Sequence, residues 1–233
     1  TFGVNFNLYY YLLIRRFKAC FHDEELKSYL WIVLTATILI SFNVLHVYGE
    51  FAKSLEISFF QVSNIITTTG FGYGDTVQWP LFSQIILLFL MCLGGSAGST
   101  AGGFKVIRAI IIGRIAKNQI LSTLSPNRVL TMHINGTVLD KDTQHKVLKY
   151  FTVYMLIIAV LVFIISLDNS NLMTVVSAVI SCVNNIGPMI GTTETFSIYS
   201  PFSKFLLSLA MIAGRLEIYP ILLLFLPRTW SNR

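Results

Sequence analysis

Two short stretches that contain glycine could bind a cation through backbone oxygens. The first, at positions 67–75, reads TTTGFGYGD, and the second, at positions 185–188, reads NIGP. Glycine adopts backbone conformations with positive φ, so consecutive carbonyl oxygens can point in one direction. Several such strands around an axis replace the water around a desolvated cation. The residues predicted to bind the cation are Thr68, Thr69, Gly70, Phe71, Asn185, Ile186, Gly187 and Pro188.

The first stretch is close to a known filter sequence. Residues 68–72 (TTGFG) depart from the potassium-channel filter Thr-Val-Gly-Tyr-Gly only at the second and fourth positions. The second stretch keeps only Gly187 at the corresponding place. For the first stretch, the alternative is a glycine turn on an outer loop.

Other kinds of site have little support in the sequence. Cys20, Cys92 and Cys182 are far apart and the four histidines are scattered, so neither a disulfide framework nor a zinc site is predicted. No Ser/His/Asp arrangement, phosphate loop or paired carboxylates indicate an enzyme. The net charge of +6 does not indicate nucleic-acid binding, because the basic residues lie between apolar segments and form no single cluster.

The composition indicates an integral membrane protein surrounded by lipid. Of the 233 residues, 54% are hydrophobic and 12% are charged, about half the charge of a soluble domain. The mean hydropathy is +0.68. The apolar segments follow one order twice: a span, a short segment, a glycine break and a second span. The predicted spans are Tyr29–Tyr48, Pro80–Ile115, Val147–Leu167 and Phe202–Leu226, and the short segments are Phe51–Ile66 and Leu172–Val183.

The short segments predict re-entrant pore helices. Leu172–Val183 has 12 residues, whereas a helix needs about 20 to cross a bilayer. A short segment that ends in glycine fits a helix that enters the membrane and returns through a loop. The alternative is a chain of ordinary spans joined by loops. Between the two units lies a polar connector, in which Asn135-Gly136 predicts a hairpin turn.

The second span of the first unit contains a predicted gate. Pro80–Ile115 runs for 36 residues, so its helix must break, and GGSAGSTAGG at positions 94–103 is the predicted break. Non-helical backbone at this depth must be packed in protein or line water, and here it would lie in the ion's path. The alternative is a close-packing face of small residues between helices. The predicted gate residues are Gly94, Gly95, Ser96, Gly98, Ser99, Gly102 and Gly103.

Arg215 lies inside the last predicted span. An arginine there costs on the order of 2.5–3.5 kcal/mol, so it should pair or line water. Glu217 is too close in sequence to share its helix face. We therefore predict a pore-facing positive barrier at Arg215, and the alternative is a packing arginine paired with a carboxylate of another repeat.

The basic residues indicate which side faces the cytoplasm. The segment before Tyr29, the Lys105–Lys149 region and the C-terminus hold 14 of the 17 Lys and Arg residues, which predicts a cytoplasmic location for all three. The opposite side carries two lysines and an excess of acidic residues, which would concentrate cations at an entrance. These acidic residues are Glu50, Glu56, Asp75, Asp168 and Glu194.

Several motifs in order resemble one transport family. FQVSNIITTTGFGYGD followed by WPLF, GGSAGSTAGGFKVIR, NNIGPMIG and AMIAGRLEIYPILLL look like the second half of the TrkH-type subunit of the bacterial Trk/Ktr/HKT potassium-uptake superfamily. The resemblance extends over essentially the whole chain. It implies an all-α integral membrane fold, in which four span–pore helix–filter loop–span repeats surround one pore. It also implies K⁺ as the transported ion, homodimers, and a cytosolic TrkA-type nucleotide-binding ring that controls opening.

By this resemblance the chain holds the third and fourth repeats, with filters at Thr68–Phe71 and Asn185–Pro188. The resemblance also implies the bacterial cytoplasmic membrane, several passes, a cytoplasmic C-terminus and no organic cofactor. The parts would be a cytoplasmic segment from the preceding repeat (1–28), the third repeat with a broken second span (29–118), a cytoplasmic connector (119–145) and the fourth repeat (146–233).

Two of four repeats cannot close a filter. Either the first and second repeats belong to a longer chain, which we favour, or a split-gene partner supplies them. The predicted function is potassium-selective, channel-like uptake. One alternative is an ion-coupled secondary carrier, whose broken helices also place irregular backbone at mid-membrane. Another is a structural or regulatory membrane subunit that conducts nothing.

Overall fold

The structure is a computed structural model that describes residues 3–16, 20, 22–71, 76–124, 131–168, 171–193 and 195–215. Predictions for residues 72–75, for Glu194 and Glu217, and for the end of the last span (216–226) lie outside these ranges. Within them the chain is mostly helical. The α-helices are α1 (Phe6–Leu13), α2 (Glu24–Tyr48), α3 (Phe51–Ile66), α4 (Leu81–Leu93), α5 (Val106–Leu124), α6 (Lys141–Ile165), α7 (Leu172–Val183) and α8 (Pro201–Arg215).

The first long helix, α2, begins earlier than its apolar run. Asp23 caps it, because its Oδ1 accepts the Leu26 N–H at 2.8 Å, and two glutamates occupy the first turn. The helix therefore starts at Glu24 and not at the predicted Tyr29. It ends at Gly49, which has a left-handed φ of +72°.

Two helices in the described ranges are long and apolar enough to cross a membrane. One is Glu24–Tyr48, with mean hydropathy 2.0, and the other is α6 with its 3₁₀ extension, Lys141–Asp168, with mean hydropathy 2.6. Only 28% and 17% of their most apolar windows are buried within the chain. The core helix of a soluble protein would instead be mostly buried, so this exposure favours a lipid or protein neighbour.

The short helices pack against these long ones. α3 lies on α2, and α7 lies on α6 and α8. Both have the predicted bounds, and α7 is buried at nine of its twelve positions. One apolar core includes Ile40, Ile65 and Leu87 of α2, α3 and α4. The second includes Tyr154 and Val179 of α6 and α7.

The polar connector is partly helical. α5 extends to Leu124, and α6 begins at Lys141. Between them the strands β1 (His133–Ile134) and β2 (Thr137–Val138) pair antiparallel, and the predicted turn at Asn135-Gly136 is confirmed. Both turn residues have positive φ, +50° and +79°, as a two-residue hairpin turn requires.

Side chains tie this hairpin to the start of α2. The Asn135 Oδ1 accepts the Glu24 N–H at 2.9 Å, and the Arg114 guanidinium forms an ion pair with the Glu24 carboxylate and also donates to the His133 carbonyl. The connector and the first residues of α2 therefore form one polar cluster.

Large apolar side chains remain exposed along one face of most long helices. They include Leu30, Trp31, Leu34, Ile38 and Phe42 of α2, Phe82 and Phe89 of α4, Leu156, Val160 and Phe163 of α6, and Phe202, Phe205 and Ile212 of α8. Contiguous exposed apolar surface of this kind marks contact with lipid or with another protein segment.

Candidate functional site

The first predicted filter stretch begins where α3 ends. The Thr68 N–H donates to the Ile65 carbonyl at 3.0 Å, and the Thr69 N–H donates to the Asn64 carbonyl at 3.1 Å. These bonds have the spacing of the Schellman motif that ends many helices. Thr68 supplies the left-handed residue of the motif, with a φ of +52°. The chain therefore turns sharply away from the helix axis at Thr68.

The second predicted filter stretch leaves α7 in the same way. The Asn185 N–H donates to the Cys182 carbonyl at 3.1 Å, and the Ile186 N–H donates to the Ser181 carbonyl at 2.9 Å. Asn185 has a φ of +55°. We call residues 67–71 the first loop and residues 184–188 the second loop. Their matching geometry is unexpected from their sequences, which share only one glycine.

A polar side chain of the preceding helix holds each loop. The Asn64 Oδ1 accepts the Phe71 N–H at 2.8 Å and the Thr69 hydroxyl at 2.9 Å, and the Asn64 Nδ2 donates to the Phe71 carbonyl. At the corresponding place, the Ser181 hydroxyl accepts the Gly187 N–H at 3.0 Å. One lone pair of the Phe71 carbonyl is thus occupied by Asn64.

The two loops touch each other at their glycines. A Cβ atom built on Gly70 would lie 2.2 Å from the Ile186 carbonyl oxygen, and one built on Gly187 would lie 3.8 Å from the Gly70 Cα. Both glycines have positive φ, +78° and +113°. Position 70 therefore requires glycine for two reasons: its φ is positive, and the Ile186 carbonyl occupies the space of a side chain.

The predicted gate is a loop that returns to its starting point. We call Gly94–Gly103 the glycine-rich loop; it leaves the end of α4 and rejoins the chain before α5. Backbone bonds close its base: Phe104 N–H to the Cys92 carbonyl (3.2 Å), Lys105 N–H to the Leu93 carbonyl (2.8 Å) and Val106 N–H to the Gly95 carbonyl (3.1 Å). The span therefore breaks where expected, and α5 begins beside the end of α4.

The glycine-rich loop lies against both the first loop and the second loop. The Gly102 N–H donates to the Thr68 hydroxyl at 3.2 Å. A Cβ atom on Gly102 would lie 2.3 Å from the Asn184 carbonyl oxygen, and one on Gly94 would lie 2.2 Å from the Gly102 carbonyl oxygen. Glycine is therefore required at both positions, because backbone atoms occupy the space that a side chain would take.

The opposite edge of the glycine-rich loop is bonded to the N-terminal part of the chain. The partners lie just before α1, at the first residue of α1 and in the first turn of α2. The bonds are Ser96 N–H to the Gly3 carbonyl (2.8 Å), Phe6 N–H to the Gly98 carbonyl (3.2 Å) and Ala97 N–H to the Glu25 carboxylate (2.7 Å).

Arg215, the predicted barrier, reaches the predicted gate. Its Nη1 donates to the Thr100 carbonyl of the glycine-rich loop at 2.8 Å. Both residues line a cavity of about 140 Å³, together with Lys105, Arg108 and Tyr150. The Arg108 guanidinium lies 3.9 Å from the centre of the Tyr150 ring. The cavity wall thus carries three basic side chains.

The predicted acidic entrance is described only in part. Glu50 and Glu56 are both exposed; Glu50 immediately precedes α3, and Glu56 lies within it. The Asp168 carboxylate accepts the Ser200 N–H at 3.0 Å, one residue before α8. Asp168 therefore stabilises the start of α8 in addition to carrying charge. Asp75 and Glu194 lie outside the described residues.

Three contributors to the site were not predicted from the sequence. Asn64 and Ser181 each lie two residues before the end of a short apolar helix. A polar residue at the same position in both short helices was the sequence signal that could have identified them. Glu25 had no such signal, because its partners are more than 70 positions away.

Comparisons with known proteins point to one family. Residues 26–232 match the TrkH family, described as a cation transport protein. The chain is 31% identical to the Trk system potassium uptake protein TrkG of Escherichia coli (strain K12), over 98% of this chain and 48% of that protein. It is 30% identical to the Trk system potassium uptake protein TrkH of Salmonella typhimurium (strain LT2), over 99% of this chain and 48% of that protein.

A solved structure has the same fold. The crystal structure of the potassium transporter TrkH from Vibrio parahaemolyticus superimposes with a TM-score of 0.89 and is 28% identical. The match covers 98% of this chain and 50% of that one. The chain thus spans about half the length of these relatives.

Proposed function

Because this chain belongs to the TrkH family of cation transport proteins, we propose that it forms the third and fourth repeats of a potassium-selective, channel-like uptake pore. In this proposal α3 and α7 are re-entrant pore helices, and the first and second loops are two of four filter strands. Relatives named as potassium uptake proteins support K⁺ as the ion.

The contact between the two loops is the observation that carries this proposal. Both loops leave their helices through the same pair of backbone bonds, and both are held by a polar side chain of the helix. They meet at Gly70 and Ile186, as neighbouring strands around one axis would. Because Asn64 already binds the Phe71 carbonyl, the carbonyls of Thr68, Thr69 and Gly70 are better ion ligands than that of Phe71.

The glycine-rich loop is the proposed gate of this pore. It contacts the Thr68 side chain at the base of the first loop, so it would obstruct an ion that leaves the filter toward the cytoplasm. Arg215 binds the same loop and adds positive charge beside the path. In the proposal, a cytosolic nucleotide-binding ring of the TrkA type moves this loop aside.

The complete assembly contains more than this chain. The first and second repeats, from a longer chain or a split-gene partner, supply the other two filter strands, and the assembly dimerises in the bacterial cytoplasmic membrane. The apolar faces of α2, α4, α6 and α8 are then covered by lipid and by these repeats.

Reconstitution of the complete assembly in liposomes tests the function. A channel gives a K⁺ current that is linear with driving force and needs no coupling ion, whereas a carrier gives flux that depends on a H⁺ or Na⁺ gradient. A folded assembly that passes no ion under either condition would support a structural or regulatory subunit and contradict the proposal.

A further inference from the structure

Glu25 is a buried carboxylate that joins two parts of the gate region. It lies in the first turn of α2 and is only 6% exposed. Its Oε1 accepts the Ala97 N–H at 2.7 Å, inside the glycine-rich loop, and the Ile107 N–H at 3.2 Å, just after that loop. One oxygen atom therefore connects the loop to the start of α5.

Both partners favour a charged acceptor at this place. Ile107 is the second residue of α5, and the first N–H groups of a helix have no acceptor within the helix. They carry partial positive charge, which a carboxylate complements. Hydrogen bonds to a carboxylate are also shorter and stronger than those to a neutral oxygen. Glu25 thus satisfies two backbone donors that its own helix does not contain.

Movement of the glycine-rich loop must break one of these bonds. Ala97 moves with the loop, whereas Glu25 is fixed on α2, whose start is also capped by Asp23 and bonded to the connector hairpin. After such a movement the buried carboxylate keeps the Ile107 donor but loses the Ala97 donor. The loss of a hydrogen bond to a buried charged group is costly, so the bond favours the loop in its observed position.

This inference rests on the proposed function and extends it. We propose that Glu25 is a positioning residue of the gate, which stabilises the glycine-rich loop in the ion path through the Ala97 N–H. Its side chain does not touch the ion, and it acts through the equilibrium between the observed and displaced positions of the loop.

The loop position can be measured directly in the complete assembly. A cysteine introduced as Ser99→Cys reports the loop, through its rate of modification by a charged thiol reagent added from the cytoplasmic side. The same protein without this cysteine gives the background from the native cysteines. Glu25→Ala removes the acceptor and Glu25→Gln keeps the size but removes the charge. Glu24→Gln is the matched control, because the neighbouring Glu24 carboxylate pairs with Arg114 and not with the loop.

We expect Glu25→Ala to raise the modification rate about tenfold and Glu25→Gln to raise it less, with Glu24→Gln unchanged. K⁺ flux measured without the cytosolic partner should rise most in Glu25→Ala, less in Glu25→Gln and not at all in Glu24→Gln. In a protein whose loop is already shortened, Glu25→Ala should add nothing to the flux, since the group acts only through the loop.

Two results would overturn the inference. The first is an unchanged modification rate in both Glu25 variants while the assembly still conducts K⁺ selectively. The second is an equal loss of flux from Glu25→Ala in the native and shortened backgrounds, which indicates a general folding role. If the unmodified assembly conducts no K⁺, the proposed function fails, and the modification rates still decide whether Glu25 positions the loop.

Discussion

Gly70 is the residue whose replacement should damage the proposed filter most specifically. A side chain there would clash with the Ile186 carbonyl. The new residue would also have to adopt the left-handed backbone conformation of Gly70, which is costly for a residue with a Cβ atom. We expect Gly70→Ser to lower the K⁺/Na⁺ permeability ratio roughly tenfold or more, equivalent to about 1.4 kcal/mol. Reversal potentials in mixed K⁺ and Na⁺ solutions measure this ratio.

Gly49 provides a control with a similar left-handed backbone conformation. Its φ is +72°, and a Cβ there would meet no atom within 4 Å. Gly49→Ser therefore carries the conformational cost without the contact, and its permeability ratio should stay at the unmodified value. If Gly70→Ser leaves that ratio unchanged too, the assignment of this loop as a filter is wrong.

Arg215 should act on ions through its charge. The repulsion between a unit positive charge and a monovalent cation about 8 Å away is about 0.5 kcal/mol in water and about 2 kcal/mol at an effective dielectric constant of 20. We therefore expect Arg215→Ala to raise K⁺ flux by roughly two- to thirtyfold. Arg215→Lys should retain most of the barrier, because it keeps the charge.

Lys204 is the matched control for Arg215. It lies near the other end of α8 and donates to the Ser197 carbonyl at 3.0 Å. Lys204→Ala should leave the flux unchanged if the effect is local to the gate. Loss of expression in Arg215→Ala without any gain in flux would instead indicate that the arginine is needed for packing against the glycine-rich loop.

At the scale of elements, the helices were more predictable than their contacts. The bounds of α3 and α7 were predicted correctly, since short apolar runs between glycine and polar residues are local signals. The start of α2 was missed, because a capped polar turn precedes its apolar run. The hydrogen bond between Glu25 and Ala97 of the glycine-rich loop was not predictable, because it joins residues that only the tertiary fold brings together.

Shortening the glycine-rich loop should open the pore. Removal of Ser99 and Thr100 deletes the carbonyl that Arg215 binds, while the bonds that close the loop's base are untouched. We expect higher K⁺ flux that depends less on the cytosolic partner. Flux assays with and without the partner provide the measurement.

The control for this deletion keeps the length of the loop. Ser99→Ala with Thr100→Ala retains the backbone carbonyl at position 100 and should conduct like the unmodified protein. A shortened protein that folds and binds its partner, yet shows no gain in flux, would exclude the loop as a gate.

At the scale of the whole molecule, the chain alone should not conduct. The two proposed filter loops meet at Gly70 and Ile186, and a filter of four strands needs two further loops, so half of an ion's coordination would be missing. Purified 233-residue protein in liposomes is expected to give no K⁺-selective current, and addition of the first and second repeats should produce one. Selective current from the chain alone would contradict this, unless cross-linking shows that two copies form the pore.

The bonds of the glycine-rich loop also imply an order of events during biosynthesis. Gly3, Glu25 and Thr68 precede the loop in the chain, whereas Asn184, whose carbonyl lies against Gly102, and Arg215 follow it. Polypeptides are made and assembled from the N-terminus, so the loop can be anchored to the first unit before the second unit exists. We expect a nascent chain released before Arg215 to lack the bond to Thr100, whereas the bonds to Gly3, Glu25 and Thr68 can already form. The bond to Thr100 would then be a late step in maturation.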